Sequence, residues 1–253
     1  MIPKIIHYCW FGGKPKPELA EKCIESWKKF CPDYQLMEWN EENFDVNSNL
    51  YVKQAYEAKK FAFVTDYVRL YALYTQGGIY MDTDVMVLKP LDEYLKHKAF
   101  SGFESKTKIP TGIMAAEKGN ALFAELLSYY DTATFIKEDG SLNMTTNVEI
   151  ITDMLTPKGF VPNGKYQEVE GFALYPQNVF CPDTARLKDE EYIQNVSTIH
   201  YFAGSWKSDA TKKRERSWWY KFGVKVYVIM LKISGPLAKK IKNFISRTFF
   251  KDK

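Results

Sequence analysis

Residues 75–90 read TQGGIYMDTDVMVLKP, the most informative stretch of this sequence. It places two carboxylates, Asp82 and Asp84, where a predicted β-strand ends. In an extended chain, side chains at i and i+2 point to the same face, and adjacent carboxylates repel unless a cation or proton lies between them. Because Mg²⁺ and Mn²⁺ prefer oxygen ligands and bind substrate phosphates, the pattern predicts a metal–diphosphate site at the carboxyl end of a strand. The alternative for an isolated Asp-x-Asp is a solvated turn.

An amphipathic helix is predicted before this strand, from about Phe61 to Gln76. The Gly77-Gly78 pair ends it, because glycine readily takes the left-handed conformation that closes a helix. Asp66 and Arg69 are three residues apart on this helix and are therefore neighbours. Spacing alone indicates an ordinary surface ion pair. The functional alternative is a rigid carboxylate–guanidinium pair that binds sugar hydroxyls beside the metal.

Alternating strands and helices predict an α/β sheet along most of the chain. The sequence predicts strands near 2–10, 34–39, 79–82, 85–88, 98–103, 172–175 and 196–201. It predicts helices near 17–30, 48–59, 61–76, 121–130 and 147–155. A composition change near residue 207 divides the chain into a predicted catalytic domain, 1–206, and a tail, 207–253.

Three blocks of this sequence resemble glycosyltransferase family 32, in particular its DXD-containing sugar-binding region. The blocks are TDYVRL at 65–70 with GGIYMDTD at 77–84, IPKIIHYCWFGG at 2–13, and HYFAGSW at 200–206. The same region is similar to the catalytic domains of the clostridial glucosylating toxins. The resemblance implies a GT-A-type, Rossmann-like α/β fold with a mixed, mostly parallel central sheet. It also implies a metal-dependent, retaining transfer of a hexose from a nucleoside diphosphate sugar.

The resemblance assigns the metal ligands. It implies that Asp84 binds the metal directly and that Asp82 contacts the ribose, the sugar or the metal's waters. His200 resembles a late histidine that supplies the third protein ligand in related families, although a lone histidine is more often structural and the toxin-like relatives use a carboxylate there. An imidazole ligand favours Mn²⁺ over Mg²⁺.

The resemblance also assigns the donor site. Trp10 resembles the tryptophan that stacks on the base in the toxin-like relatives, an interaction worth about 1–3 kcal/mol, and Gly12 and Gly13 would let the backbone approach the nucleotide. Ser205 and Trp206 would hydrogen-bond the phosphates, with core packing as the alternative for Trp206. The remaining assignments are Asp66 and Arg69 on the donor sugar's hydroxyls, Tyr80 lining the same pocket, residues 110–114 facing the acceptor, and His7 buried in its strand.

The expected donor is a uridine diphosphate sugar carrying galactose or glucose, with guanosine diphosphate mannose left open. The expected acceptor is a surface polysaccharide or a lipid-linked oligosaccharide. Relatives often carry Gly-Pro where this chain has Asn147-Val148 after a threonine. Two rival hypotheses are a metal-dependent nucleotidyl- or phosphotransferase and an inactive, membrane-associated module that binds sugar nucleotides.

The tail carries the chain's positive charge. Residues 207–253 hold 14 Lys and Arg residues and 3 Asp and Glu residues. Residues 1–206 hold 21 basic and 28 acidic residues, so the whole chain has a net charge of +4. The aromatic residues 218–220 and the basic helical faces of the tail are typical of an interfacial helix on an anionic membrane; the alternative is a helix packed on the domain. An acidic remainder argues against nucleic-acid binding.

Composition indicates whether the chain folds and in which cellular compartment the protein is expected. With 45% apolar and 16% aromatic residues, the chain is expected to fold rather than stay disordered. Four cysteines without a C-x-x-C pair predict free, buried thiols in a reducing compartment. No secretory signal or 18-residue apolar stretch is recognised. The expected location is the cytoplasm, peripheral on the inner face of the cytoplasmic membrane.

Overall fold

Strands and helices alternate along residues 1–204, which are the residues that this computed structural model describes. The strands are β1 (Ile5–Cys9), β2 (Gln35–Trp39), β3 (Gly78–Met81), β4 (Val85–Val87), β5 (Ala99–Gly102), β6 (Ile113–Ala116), β7 (Gln167–Val169), β8 (Phe172–Tyr175) and β9 (Thr198–His200). The α-helices are α1 (Glu18–Phe30), α2 (Leu50–Glu57), α3 (Phe61–Gln76), α4 (Ala121–Thr132), α5 (Asn147–Leu155), α6 (Gln177–Phe180) and α7 (Glu190–Ile193). The predicted tail, with Ser205 and Trp206, lies outside the described residues.

Seven of these strands form one mixed sheet in the order β2-β1-β3-β6-β5-β8-β7. β1 is parallel to both β2 and β3, β6 is antiparallel to β3 and β5, β8 is parallel to β5, and β7 is antiparallel to β8. Five strands therefore run in one direction, and only β6 and β7 oppose them. The predicted α/β class with a mixed, mostly parallel sheet is confirmed.

Helices cover both faces of this sheet. Successive strand residues alternate between the faces: Ile79 packs in the core beneath α1, whereas Tyr80 packs in the core beneath α2, α3 and α4. On α1 the buried residues recur at helical spacing and include Trp27, whose indole N–H donates to the Val85 carbonyl at 2.7 Å. That bond fixes α1 against β4, which leads away from the Asp82–Asp84 turn.

The carboxyl ends of β1, β3 and β5 meet at one edge of the sheet, because these strands run in the same direction. Trp10 follows β1 and Asp82 follows β3 at this edge, and Gly112 leads into the antiparallel β6 there. A separate two-stranded ladder, β4 with β9, pairs Val85 with His200 and so brings residues more than 100 positions apart to the same place. This edge is where the described part of the chain gathers its candidate site residues.

Two further expectations concern the described residues. All four cysteines are free and buried, as predicted. Among the residues that the structure describes, no helix is both long enough and apolar enough to cross a membrane.

Candidate active site

Asp82 and Asp84 lie in a tight turn between β3 and β4. β3 ends at Met81, and the Val85 amide donates to the Asp82 carbonyl at 2.9 Å, which closes a turn over the two aspartates. The Asp82 amide in turn donates to the Gly112 carbonyl at 2.8 Å. The prediction that an extended strand aligns the two carboxylates was therefore wrong. The turn brings them together instead, because it must return the chain into β4.

The turn and the end of β9 bring three potential metal ligands together. His200 Nε2 lies 3.2 Å from Asp84 Oδ1 and 4.0 Å from Asp82 Oδ2. One ligand atom from each of the three residues lies within 4.8 Å of the other two. The structure thus brings together the three residues that the sequence assigned to a metal.

The chemistry of these donors suits a hexacoordinate cation. Two carboxylate oxygens and one imidazole nitrogen would leave positions for water and for phosphate oxygens of a substrate, as Mn²⁺ and Mg²⁺ require. The side chains of Asp82 and Asp84 keep 26% and 18% of their surface exposed, so the open side of the group faces solvent. The residues present therefore fit a divalent cation of this kind.

His200 is tuned by its acidic neighbours. Burial lowers the pKa of the imidazole, but the hydrogen bond to Asp84 and the charges of Asp84, Asp82 and Glu104 outweigh it and raise the pKa above its usual value. Its Nδ1 atom is buried and has no hydrogen-bond partner among the described residues. Nε2 is thus the nitrogen that meets the carboxylates.

Arg69 joins the metal group to the second acidic position. One guanidinium nitrogen lies 3.4 Å from Asp66 Oδ1 and 3.4 Å from Asp82 Oδ1, and another donates to the Thr111 carbonyl at 2.5 Å. The guanidinium also stacks over the Tyr80 ring, with its central carbon 4.7 Å from the ring centroid. Asp66 is 8% and Arg69 is 5% exposed, so this is a buried pair rather than an ordinary surface ion pair.

Asp66 is held by contacts that sequence reasoning missed. The Asn147 side-chain amide donates to the Asp66 carbonyl at 2.7 Å, and the Tyr130 hydroxyl donates to Asn147 Oδ1 at 2.6 Å. Burial raises the pKa of the Asp66 carboxyl to about 6, although the Arg69 charge opposes that shift. Asn147 stood in the sequence only as a departure from the family pattern. Its contact across 81 residues gave no local signal.

Tyr80 supports the site from beneath. Its hydroxyl donates to Asp82 Oδ1 at 2.8 Å, and the residue is 1% exposed. Burial and the nearby Asp82 raise the pKa of the phenol well above its usual value, so it remains a hydrogen-bond donor. The ring packs in the core against the Arg69 guanidinium, and a place for Tyr80 in the sugar pocket stays a prediction.

The residues assigned to the nucleotide line a cleft of about 780 Å³ after β1 and β2. Trp10, Gly12 and Gly13 contribute to this cleft, hereafter the Trp10 cleft. The Trp10 indole N–H donates to the Lys14 carbonyl at 2.5 Å, which holds the ring in place. The Gly12 amide donates to Glu41 Oε1 at 2.7 Å. The volume of the Trp10 cleft lies within the range of about 300–1,000 Å³ that ligand sites occupy.

The structure explains why glycine stands at position 12 and why His7 is buried. Gly12 has a φ of +91°, and a Cβ there would lie 2.5 Å from a ring carbon of Phe61, so only glycine fits without displacement. His7 is fully buried, as expected: its Nε2 bonds the Gly77 carbonyl at 2.7 Å, and the Trp39 indole donates to its Nδ1 at 3.1 Å. Burial lowers the pKa of His7, so both nitrogens serve a neutral, structural ring.

Comparisons with known proteins agree with this geometry. Residues 17–101 match the family model described as a glycosyltransferase sugar-binding region containing a DXD motif. Inositol phosphoceramide mannosyltransferase 3 of Schizosaccharomyces pombe is 30% identical over 134 residues, which are 50% of this chain and 36% of that protein. The initiation-specific alpha-1,6-mannosyltransferase of Candida albicans is 21% identical over 85% of this chain and 74% of its own. The chain spans about one third of the length of the first of these relatives.

Other matches cover most of the chain at lower similarity. An uncharacterized glycosyltransferase of Acanthamoeba polyphaga mimivirus is 25% identical over 73% of this chain and 78% of its own. Among solved structures, a glycosyltransferase involved in the glycosylation of the major capsid of PBCV-1 aligns with 83% of this chain and 97% of its own, at 12% identity and a TM-score of 0.49. The match of residues 17–101 to the DXD sugar-binding model confirms the resemblance of this region to glycosyltransferase family 32.

Proposed function

We propose that this protein transfers a hexose from a nucleoside diphosphate sugar to a glycan acceptor, in a divalent-metal-dependent reaction that retains the anomeric configuration. The observation that carries the proposal is the convergence of Asp82, Asp84 and His200 within 4.8 Å of one another, next to the buried Asp66–Arg69 pair. The match to a DXD sugar-binding region supports the same reaction class.

The reaction breaks the bond between the anomeric carbon and the diphosphate oxygen and forms a bond from that carbon to an acceptor oxygen. A divalent cation bound by Asp82, Asp84 and His200 would supply Lewis-acid stabilisation of the negative charge that builds on the leaving diphosphate. In a front-face mechanism the leaving phosphate oxygen accepts the proton of the acceptor hydroxyl. Such a reaction needs no covalent nucleophile from the protein.

The Asp66–Arg69 pair would bind the donor sugar. The guanidinium already contacts Asp82, and so it links the sugar position to the metal position at 3.4 Å on each side. Charge-assisted hydrogen bonds to sugar hydroxyls strengthen as the ring gains oxocarbenium character, which lowers the barrier rather than only tightening ground-state binding.

The donor is either a uridine diphosphate sugar, with galactose or glucose, or guanosine diphosphate mannose. The indole of Trp10 supports stacking on either base. The names of the mannosyltransferase relatives make the guanosine diphosphate mannose alternative comparable to the uridine diphosphate one.

Glycine substitutions test whether the Trp10 cleft binds the nucleotide. Gly12→Ala should raise the donor KM by about tenfold, because its Cβ would push against Phe61 beneath the cleft. Gly119→Ala is the matched control: Gly119 also has a positive φ, +73°, but lies beyond β6 at the opposite edge of the sheet, where a Cβ meets nothing within 4 Å. Steady-state kinetics that show equal KM values for the two variants would argue against nucleotide binding in this cleft.

The proposed setting is the cytoplasmic face of a membrane, with a surface polysaccharide or lipid-linked oligosaccharide as acceptor. Residues 207–253 contain 14 basic and 3 acidic residues, and this positive charge supports attraction to anionic lipid. Sedimentation of the full chain with vesicles tests it: binding to anionic but not neutral vesicles, weakened by salt, is expected. Equal binding to both vesicle types, or to neither, would contradict this setting.

A panel of nucleotide sugars tests the reaction class and the donor together. Each donor is incubated with Mn²⁺, with and without a chelator, and with and without a glycan acceptor, and the products are separated. Metal-dependent release of a nucleoside diphosphate supports the glycosyltransferase proposal. Pyrophosphate or a phosphorylated product would instead identify a nucleotidyl- or phosphotransferase, and donor binding without any product would identify an inactive binding module.

A further inference from the structure

We propose that Phe202 is a positioning residue that orients His200 toward the metal by stacking, in place of the hydrogen bond that usually orients a metal-binding histidine. The inference rests on the proposed metal site, but it does not depend on the donor or the acceptor. It concerns a residue of the HYFAGSW block to which the resemblance assigned no role.

The imidazole of His200 lies between two surfaces. On one side the Phe202 ring stacks on it, with ring centroids 3.9 Å apart and planes inclined by 26°. On the other side is Gly112, where a Cβ would lie 2.5 Å from His200 Cε1 and 2.8 Å from Nδ1. The ring therefore occupies a slot that is one aromatic ring thick, and within it Nε2 faces Asp84 and Asp82.

No described hydrogen bond fixes the far nitrogen of this ring. A histidine that binds a metal normally donates its other N–H to a carboxylate, a backbone carbonyl or a water, and that bond sets the tautomer and the orientation. Nδ1 of His200 is buried and makes no hydrogen bond to any residue in 1–204. Asp84 holds the Nε2 side of the ring, so the plane of the far side depends on packing, to which Phe202 and Gly112 both contribute.

The backbone of Phe202 indicates that its position is imposed. Its φ is +49°, in the left-handed region that a bulky aromatic residue rarely adopts. The side chain nevertheless stays 55% exposed, so burial in the core does not explain its placement. Such strained residues cluster at ligand clamps and active sites, and here the strain places the ring over the imidazole.

The neighbouring Tyr201 provides a matched control. It is also an exposed aromatic residue, 40% accessible, but its hydroxyl contacts the Met86 sulfur at 3.5 Å rather than the imidazole. Its backbone amide donates to the Asp84 carbonyl at 3.0 Å, a bond that a side-chain truncation keeps. Truncating Tyr201 therefore removes an aromatic ring from the same segment without opening the slot around His200.

The first experiment measures the ring contact itself, in the metal-free protein. The chain has three histidines, so the imidazole Cε1–H signals are few and can be assigned with His200→Ala. A proton under the face of an aromatic ring is shifted upfield, and Phe202→Ala should move the His200 signal downfield while the signals of His7 and His97 stay in place. An unchanged His200 signal would overturn the stacking contact.

The second experiment measures Mn²⁺ affinity by calorimetric titration of the full chain. Phe202→Ala should weaken Mn²⁺ binding about 10- to 100-fold, as removal of an orienting partner does, whereas Phe202→Tyr and Tyr201→Ala should bind as the wild type does. Phe202→Ala should cause no further loss in a His200→Ala background, because both changes act through one ligand. Wild-type affinity in Phe202→Ala, or an additive loss in the double variant, would overturn the inference.

These outcomes separate this inference from the proposed function. If the protein binds Mn²⁺ with the predicted Phe202 dependence but releases no nucleoside diphosphate from any donor, the positioning role stands and the transferase proposal fails. If the wild type binds no Mn²⁺ under any condition, the metal role of His200 fails and the positioning role fails with it.

Discussion

The carboxyl edge of the sheet carries two acidic positions that are built in opposite ways. Asp66 lies on a turn of α3, is 8% exposed, and faces the guanidinium of Arg69 at 3.4 Å. Asp82 and Asp84 lie in a turn, keep part of their side chains exposed, and both approach Nε2 of His200, at 4.0 Å and 3.2 Å. The first position is a single buried carboxylate beside an arginine, whereas the second gathers two partly exposed carboxylates at a surface open to solvent.

This difference supports the role proposed for each position. A buried carboxylate already paired with arginine has little affinity left for a cation, but its fixed geometry suits recognition of sugar hydroxyls. Two partly exposed carboxylates beside an imidazole suit a divalent cation and, with it, a diphosphate. Arg69 touches both positions, since one nitrogen lies 3.4 Å from both Asp66 and Asp82. Three substitutions test whether the two positions differ in this way.

We expect the largest effect on turnover from a substitution in the turn that carries Asp82 and Asp84. Asp84→Asn should lower turnover by on the order of 10³-fold or more, because it removes a charged metal ligand and with it several kcal/mol of leaving-group stabilisation. The melting temperature should hardly change, since the side chain lies in a partly exposed turn. Nucleoside diphosphate release with saturating Mn²⁺ measures the first effect, and calorimetry measures the second.

Asp153→Asn is the control for that substitution. Asp153 is an exposed aspartate on α5, so its loss should leave turnover and stability unchanged. Near-normal turnover in Asp84→Asn would refute the metal role of the turn.

A smaller effect is expected where the two positions join. Arg69→Lys should reduce turnover by on the order of 10²-fold, because a single ammonium cannot reach Asp66, Asp82 and the Thr111 carbonyl as the planar guanidinium does. The buried carboxylates would also lose part of their pairing, so the melting temperature should fall.

The exposed ion pair Arg186–Asp189 is the control for the effect of burial on an ion pair. Arg186 and Asp189 have the same i, i+3 spacing as Asp66 and Arg69 and a similar distance of 3.3 Å, but both are exposed. Arg186→Lys should therefore change neither turnover nor melting temperature measurably. Similar effects of the two Arg→Lys substitutions would contradict the assignment of Arg69 as the link.

The smallest effect is on stability, and it depends on pH. The pKa of Asp66 is about 6 in the folded protein, against 3.8 without the fold, so the folded state binds this proton more tightly. Stability from this group is present below about pH 4 and is lost as pH rises through 6. Asp66→Asn should therefore raise the free energy of unfolding at pH 8, by at most about 3 kcal/mol, and the gain should vanish at pH 4.

Denaturant unfolding at both pH values measures this gain. We also expect this variant to lose donor turnover. Asp66 would then lower the stability of the fold at pH 8 while being required for activity. A variant less stable than the wild type at pH 8 would show that the Asp66 charge stabilises the fold.

The sequence anticipated the parts of this site that depend on local pattern. The periodicity of residues 61–76 predicted α3 with its true ends, Phe61 and Gln76, and Asp66 and Arg69 on it. Hydrophobic runs with turn residues between them predicted β1 to β5, β8 and β9 to within a few residues. Local spacing suffices for these elements because helix and strand periods are fixed by backbone geometry.

The rest depends on contacts between distant segments. The β4–β9 pairing that places His200 beside Asp84, the Asn147 amide on the Asp66 carbonyl and the Thr111 carbonyl on Arg69 each join residues more than 40 positions apart. The sequence predicted a turn at 82–84 only as the alternative, because an Asp-x-Asp sequence fits both a strand end and a turn. The slot around His200 depends on a missing Cβ and a strained backbone, which no residue pattern records.

The most direct test of the central claim is an anomalous difference map from crystals soaked with Mn²⁺ and a nucleoside diphosphate. We expect one strong manganese peak within bonding distance of Asp84 and His200, with Asp82 beside it and the diphosphate oxygens completing the shell. A peak elsewhere, or a bound diphosphate with no manganese between Asp82, Asp84 and His200, would contradict it.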